Sequence, residues 1–250
     1  MPLTLTEWDQ RFQQQATWTK DLRAYLLPKA GLNNAKTVLD VGCGTGALIS
    51  ELDSQSKAQI YGLDLDLTHL KLAIRNFLEG FYSGGDAQAL PFPSNAFDLT
   101  LCHFLLLWVE DPLLVVREMK RVTKPGGSVL SLAEPDYGGR LDYPPTLAQL
   151  KELQSKALRR QGADPHLGRK LRSIFARAGC REIVTGVLGG QWIEPPKPED
   201  LSLEWQIITE DIGDTIPAKV LQDLECQAIQ AWDRDERTVF VPTFYAWGKT

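Results

Sequence analysis

Hydrophobic positions along this chain change period several times, and the changes divide it into elements. Over 5–30, Trp8, Phe12, Trp18, Leu22 and Leu26 recur at helical spacing and predict an N-terminal helical segment. Thr37-Val38-Leu39-Asp40-Val41 is a β-branched and aliphatic run suited to a buried parallel strand. Ile60-Tyr61-Gly62-Leu63-Asp64 predicts a second strand, and a short third precedes Gly85. Phe97-Asp98-Leu99-Thr100-Leu101-Cys102-His103 predicts a fourth, and 128–134 a fifth. Helical stretches separate these strands, which argues for a parallel sheet. A loop rich in glycine and proline follows, from Pro135 to Pro145. Helical stretches are predicted at 146–161 and 167–179, the second ended by Gly179. A sixth strand is predicted at 181–187. A second helical insertion spans 198–236, opened by Pro195-Pro196-Lys197-Pro198. The last strand, 238–249, alternates β-branched and aromatic residues.

The first strand runs into Gly42-Cys43-Gly44-Thr45-Gly46, and 47–52 reads as the opening turns of a helix. Strand, glycine loop and helix make a nucleotide-type binding corner, because a backbone without Cβ turns tightly and approaches a ligand closely. Two patterns fit the loop. Gly42, Gly44 and Ala47 satisfy the dinucleotide fingerprint of a nicotinamide-dependent oxidoreductase. Asp40, Gly42, Gly44 and Gly46 satisfy D-x-G-x-G-x-G, which resembles motif I of the class I S-adenosylmethionine-dependent methyltransferases.

Downstream blocks extend that second resemblance in register. Asp64 ends the second strand about 20 residues after the glycines, where a carboxylate can grip ribose hydroxyls. Gly85-Asp86-Ala87 resembles the family's acidic residue beside the adenine. Asp111-Pro112, Arg117-Glu118 and Arg121-Val122-Thr123-Lys124-Pro125-Gly126-Gly127 resemble the helix and turn before its fifth strand. The match runs over about 36–135 and is closest to small-molecule methyltransferases of the type 11/25-like domain.

The resemblance implies a single α/β domain over 1–250. Its core is a doubly wound, Rossmann-like sheet of seven strands in the order 3-2-1-4-5-7-6, the last strand antiparallel, with helical insertions. The 5–30 segment would be a lid, 36–135 the cofactor-binding core, and 136–180 and 193–236 substrate-side insertions. The implied cofactor is S-adenosylmethionine, touching Asp40, Gly42, Cys43, Gly44, Gly46, Asp64, Leu65, Asp86, Ala87, His103 and Phe104. Gln15, Trp18 and Arg23 are lid candidates, and Arg23 suits the cofactor carboxylate because a guanidinium matches that geometry. Asp40 has two roles open to it, ordering the loop or facing the cofactor's ammonium. Cys43 meets the loop's need for a small residue.

The implied function is methyl transfer to a small-molecule acceptor by direct in-line attack on the sulfonium methyl. The alternative is a non-catalytic S-adenosylmethionine-binding regulator or assembly protein. His103, Asp136 and His166 are the catalytic candidates. His103 can serve as a base, a cofactor contact or a packed strand-end residue; Asp136 and His166 can equally form turns and caps. His103-Phe104-Leu105-Leu106-Leu107-Trp108 resembles the hydrophobic segment of small-molecule enzymes. The amino-methylation tetrapeptide and the Pro-Cys of cytosine C5 enzymes are missing from the sequence. Tyr137, Tyr143, His166, Trp192, Trp205 and Trp232 offer lining for an acceptor pocket, two or three of them facing the cleft.

Composition narrows the partners. A net charge of −5 argues against a general nucleic-acid binder. Arg159-Arg160 and Arg169-Lys170-Leu171-Arg172 read as solvated helix faces. The four cysteines lack C-x-x-C or metal-ligand spacing, so neither a disulfide framework nor a metal site is expected. The polar first 20 residues and the short apolar run at 99–109 point to a cytoplasmic protein without membrane spans. Oligomeric state and the identity of the acceptor are not encoded in these patterns.

Overall fold

The computed structural model describes residues 3–189 and 196–250. Two helices open the chain, α1 (Leu5–Trp18) and α2 (Lys20–Ala30). The predicted 5–30 segment is thus broken at Thr19, which ends one helix and starts the next. A capping box of Thr4 and Glu7 starts α1. The core alternates: β1 (Thr37–Val41), α3 (Ile49–Ser54), β2 (Gln59–Asp64), α4 (Leu67–Asn76), β3 (Phe81–Gly84), β4 (Phe97–Cys102), α5 (Pro112–Val122) and β5 (Thr123–Pro135). Asp66 and Asp111 cap α4 and α5, each accepting two backbone N–H groups. The helix after the glycine loop begins at Ile49, two residues later than its sequence pattern suggests, because the loop occupies turns through Leu48.

The second half comprises β6 (Leu141–Tyr143), α6 (Leu150–Arg160), α7 (Leu171–Arg177), β7 (Arg181–Leu188), α8 (Pro198–Ile212), α9 (Ala218–Asp233), β8 (Thr238–Phe240) and β9 (Thr243–Lys249). The main sheet runs β3-β2-β1-β4-β5-β9-β7. Among the strands of this sheet β7 is the sixth and β9 the seventh in chain order, so this is the order the resemblance implied. β9 is antiparallel to both neighbours. The predicted strand 238–249 needs correction: it is two strands. Pro242 has no N–H to donate and interrupts it, so 238–240 pairs with β6 in a separate small sheet.

Apolar side chains fill both faces of the sheet. One layer packs Val115, Val116 and Met119 of α5 and Phe175 of α7 against it. The other packs Leu22, Leu26 and Leu27 of α2 with Ile49 and Leu52 of α3. A satellite core joins α6, α8 and α9 through Leu150, Trp205, Ile208, Ile212 and Leu224. No helix among the described residues is long and apolar enough to cross a membrane.

Candidate active site

Register sets the site. Asp64 pairs with Gly84, Val41 with Leu63 and Cys102, and Cys102 with Ser131, so the carboxyl ends of five parallel strands lie in one row. Asp86, Asp64, the glycine loop and His103–Phe104 therefore emerge side by side at the switch point between β1 and β4, where doubly wound sheets bind ligands. Gly42, Gly44 and Gly46 all have positive φ, at 74°, 55° and 83°. A Cβ at Gly44 would lie 3.0 Å from the Phe12 ring, and one at Gly42 would lie 2.7 Å from Leu105 Cδ1. The loop is thus closed from above by α1 and from the side by the segment after β4.

Asp64 has a structural task that the sequence pattern does not reveal. Its Oδ2 accepts from Gly44 N–H at 2.7 Å and its Oδ1 from Asp66 N–H at 2.9 Å. Gly85 N–H donates to the Asp64 carbonyl at 3.0 Å, joining the second and third strand ends. Asp86 is exposed and turns its Oδ1 onto Gln88 N–H, while Ala87 is buried beneath it. Leu65 stands in solvent at 74% exposure. The Cys43 side chain points inward against Gly62, and burial pushes its thiol well up, so only its backbone belongs to the loop.

Behind the loop lies a buried polar chain. Asp40 is 2% exposed, and its Oδ1 has no hydrogen-bond partner among the described residues. Burial, reinforced by the charge of Asp64, pushes its carboxyl up to about 7, with Arg23 opposing. Arg23 is buried and donates to Glu51 Oε2 through Nε and Nη2, and to Ala16 O and Thr19 Oγ1 through Nη1. Four of its five N–H groups are engaged, leaving one on Nη2 for any further acceptor. Thr19 Oγ1 also lies 2.8 Å from His103 Nε2. Burial and then the Arg23 charge push His103 down to about 3, so its imidazole is neutral and a weak base. Glu51 and Thr19, which complete this chain, carry no motif and were invisible in the sequence.

The segment after β4 is held by an equally unforeseen group. Phe104 sits at φ +52°, and its N–H donates to Ala133 O. The following N–H groups of Leu105, Leu106 and Leu107 all donate to the fully buried Glu134 carboxylate. Burial outweighs those three donors and pushes Glu134 up to about 8. Asp136 and His166 are brought together with Arg169 rather than with His103. Asp136 is gripped through both oxygens by the Arg169 guanidinium. His166 packs on Gly138 and lies 3.3 Å from Arg159 Nη2. Arg169 is therefore no plain solvated face.

Of the aromatic candidates, Trp205 is buried in the satellite core, Tyr143 is 55% exposed and Trp232 half-buried. Tyr137 is half-buried at the end of β5. Trp192 lies outside the described residues.

The donor set suits the cofactor implied by the sequence. An unpaired carboxylate oxygen beside a glycine cradle is complementary to a cationic group, and the cradle admits no side chain in its place. All four cysteines are free, and the described residues hold no cluster able to ligate a metal.

Comparison with known proteins agrees with this geometry. Residues 39–131 match the family model described as a methyltransferase domain. A malonyl-[acyl-carrier protein] O-methyltransferase of Erwinia pyrifoliae is 37% identical over 119 residues, covering 48% of this chain and 45% of that protein. A demethylmenaquinone methyltransferase of Renibacterium salmoninarum is 36% identical over 122 residues, covering 48% and 51%. The matched stretch thus spans about half the length of these curated relatives. Among solved structures, phosphoethanolamine N-methyltransferase 2 of Haemonchus contortus, in complex with S-adenosyl-L-methionine, superposes with a TM-score of 0.57 at 17% identity. That likeness covers 92% of this chain and 52% of the other, and it shows a shared fold.

Proposed function

We propose that this chain, whose residues 39–131 match the methyltransferase domain model, is a class I methyltransferase that transfers a methyl group from S-adenosylmethionine to a small-molecule acceptor. The observation that carries this reading is the orphaned Asp40 Oδ1 beside the glycine cradle, in line with Asp64 and Asp86. Asp40 faces the cofactor's ammonium. The free lone pairs of Asp64 take the ribose hydroxyls, Asp86 and Ala87 border the adenine, and the exposed Leu65 supplies its apolar contact. Arg23 offers its one free N–H to the carboxylate. Phe104 and His103 flank the reacting centre, and α1 with α2 serves as the lid. The insertions carrying α6, α8 and α9 wall the acceptor side.

When bound, the cofactor's sulfonium supplies an electrophilic methyl group. The chain contributes alignment and exclusion of water, and near-attack geometry alone is worth roughly 7–11 kcal/mol. His103, held neutral and weakly basic, acts as a hydrogen-bonding wall rather than a proton acceptor. Asp136, clamped by Arg169, is likewise held from free proton transfer. The reading therefore favours direct in-line attack by an acceptor that needs no strong protein base. The test is transfer of labelled methyl from S-adenosylmethionine to a panel of quinols, carboxylates and amines. Label in any acceptor, dependent on the native fold, supports it. Tight cofactor binding with no transfer to any class favours the non-catalytic regulator.

A further inference from the structure

A second charged cluster lies beside this cleft, among α1, α8 and the segment flanking β6 and β8. Arg11, Arg140 and Arg237 are all less than a tenth exposed. Every nitrogen of the Arg140 guanidinium is engaged, Nε and Nη2 on Asp142 and Nη1 on Gln154. Arg237 spends Nη1 on the carbonyls of Tyr143 and Thr238 and Nη2 on Asp142. Arg11 differs. Its hydrogen bonds all leave from Nη1, to Gln14 Oε1 at 2.7 Å and Glu204 Oε2 at 2.8 Å. Among the described residues its Nε–Nη2 edge meets no acceptor, while one face of the guanidinium lies 4.7 Å from the Trp18 ring centroid.

Among the described residues the three guanidiniums pair directly with two carboxylates, Asp142 and Glu204. Asp211 also faces the group from α8 but gives its Oδ1 to Gln161. A buried guanidinium edge left without an acceptor is costly, which is the feature that sets Arg11 apart. The Tyr137 hydroxyl, within reach of the charges of Arg11 and Glu204, makes no hydrogen bond among the described residues.

Position ties the cluster to the reacting centre. Arg11 precedes Phe12, whose ring covers Gly44. Tyr137 follows β5, whose carboxyl end adjoins Phe104 through Ala133. The Trp18 ring over Arg11 adjoins Thr19, which meets His103, and the Arg11 charge reaches Tyr137, so the pair lies near the β4–β5 side of the cleft.

We propose that Arg11 selects an acceptor bearing a carboxylate, taken side-on by its Nε–Nη2 edge, with the Tyr137 hydroxyl donating alongside and Trp18 flanking the acceptor's apolar body. A side-on guanidinium–carboxylate pair provides two parallel charged hydrogen bonds, which an ammonium cannot reproduce. The inference rests on the methyl-transfer reading of the same cleft.

The test uses the full chain saturated with S-adenosylhomocysteine. It is titrated with benzoate and octanoate, and with benzamide and octanamide as neutral matches. The carboxylates bind and shift the Arg11 Nε–H resonance, and the amides do not. In Arg11→Lys, carboxylate affinity falls roughly 10- to 100-fold, while S-adenosylhomocysteine affinity stays unchanged. Equal binding of acids and amides, or an unshifted Nε–H resonance, overturns the proposal. So does R11K weakening S-adenosylhomocysteine itself, since the edge would then serve the cofactor. The resonance in the unsubstituted protein decides the matter should R11K fail to fold. Failure of S-adenosylhomocysteine to bind the unsubstituted protein overturns the methyl-transfer reading and this one with it.

Discussion

Asp40→Asn separates the cofactor role of Asp40 from a loop-ordering one, because the two roles predict opposite signs. Burial raises this carboxyl from 3.8 to about 7 in the unliganded protein. A folded value above the unfolded one means that the native state prefers the protonated acid. The stabilisation is complete below about 3.8 and is lost as pH rises through about 7. Over that span the cost of burying the ionised form reaches about 4 kcal/mol at 1.36 kcal/mol per unit, an upper bound. Asn carries no such cost, so the unliganded variant melts higher than the parent above pH 7, and the gap closes toward pH 4. Cofactor binding runs the other way. The ammonium pairs with the ionised carboxylate, so binding to the parent releases a proton and weakens about tenfold per pH unit below about 7. In the variant this slope disappears, and affinity at pH 8 drops by roughly 1.5–3 kcal/mol, the range for hydrogen bonds to charged groups. Calorimetric titration with S-adenosylhomocysteine at pH 6, 7 and 8, in buffers of different ionisation enthalpy, counts the released proton. Unfolding melts supply the stability arm. A variant that binds as tightly as the parent with the same pH slope, or unfolds more readily at pH 8, refutes the reasoning.

Gly44→Ala forces a Cβ into the left-handed region against Phe12. It should cost roughly 1–2 kcal/mol by urea unfolding and reduce cofactor affinity; unchanged values would mean that the loop is not braced by α1. Glu134→Ala leaves the N–H groups of Leu105, Leu106 and Leu107 without their acceptor and should cost about 2–3 kcal/mol. Glu134→Gln keeps an acceptor oxygen and should stay within about 1 kcal/mol of the parent. Since burial raises Glu134 from 4.5 to about 8, the Gln variant should also lose the part of the stability decline that the parent shows across that interval. Equal losses in the two variants would show that packing, not hydrogen bonding, holds the segment.

The fold was legible where local pattern and packing agree. Val38, Leu39 and Val41 are fully buried, as their continuous apolar run requires of a central parallel strand. The sheet order followed from the family resemblance, whose glycines and carboxylates mark the strand ends. What stayed hidden depends on contacts between distant segments. Thr19 reads as a polar residue within a helical pattern, yet it breaks that helix and joins Arg23 to His103. Arg169 reads as one of several surface cations, yet it neutralises Asp136, which lies 33 residues away. Glu134 ends a strand without any motif, and its role exists only because the segment after β4 folds back onto it. The predicted strand at 238–249 kept its alternation across Pro242, so periodicity alone could not reveal the break.

The proposed binding site for S-adenosylmethionine is the row formed by Asp40, the glycine loop, Asp64 and Asp86. Thermal unfolding with S-adenosylmethionine, S-adenosylhomocysteine and NAD, each at about 100 times its dissociation constant or at solubility, tests it most directly. Both sulfur compounds should stabilise the protein by about 2.7 kcal/mol, a rise in melting temperature of about 5–10 °C for a chain of this size, and NAD should give no response. Stabilisation by NAD with no response to either sulfur compound would contradict the proposed site, and would return the Gly42, Gly44 and Ala47 pattern to a nicotinamide fingerprint.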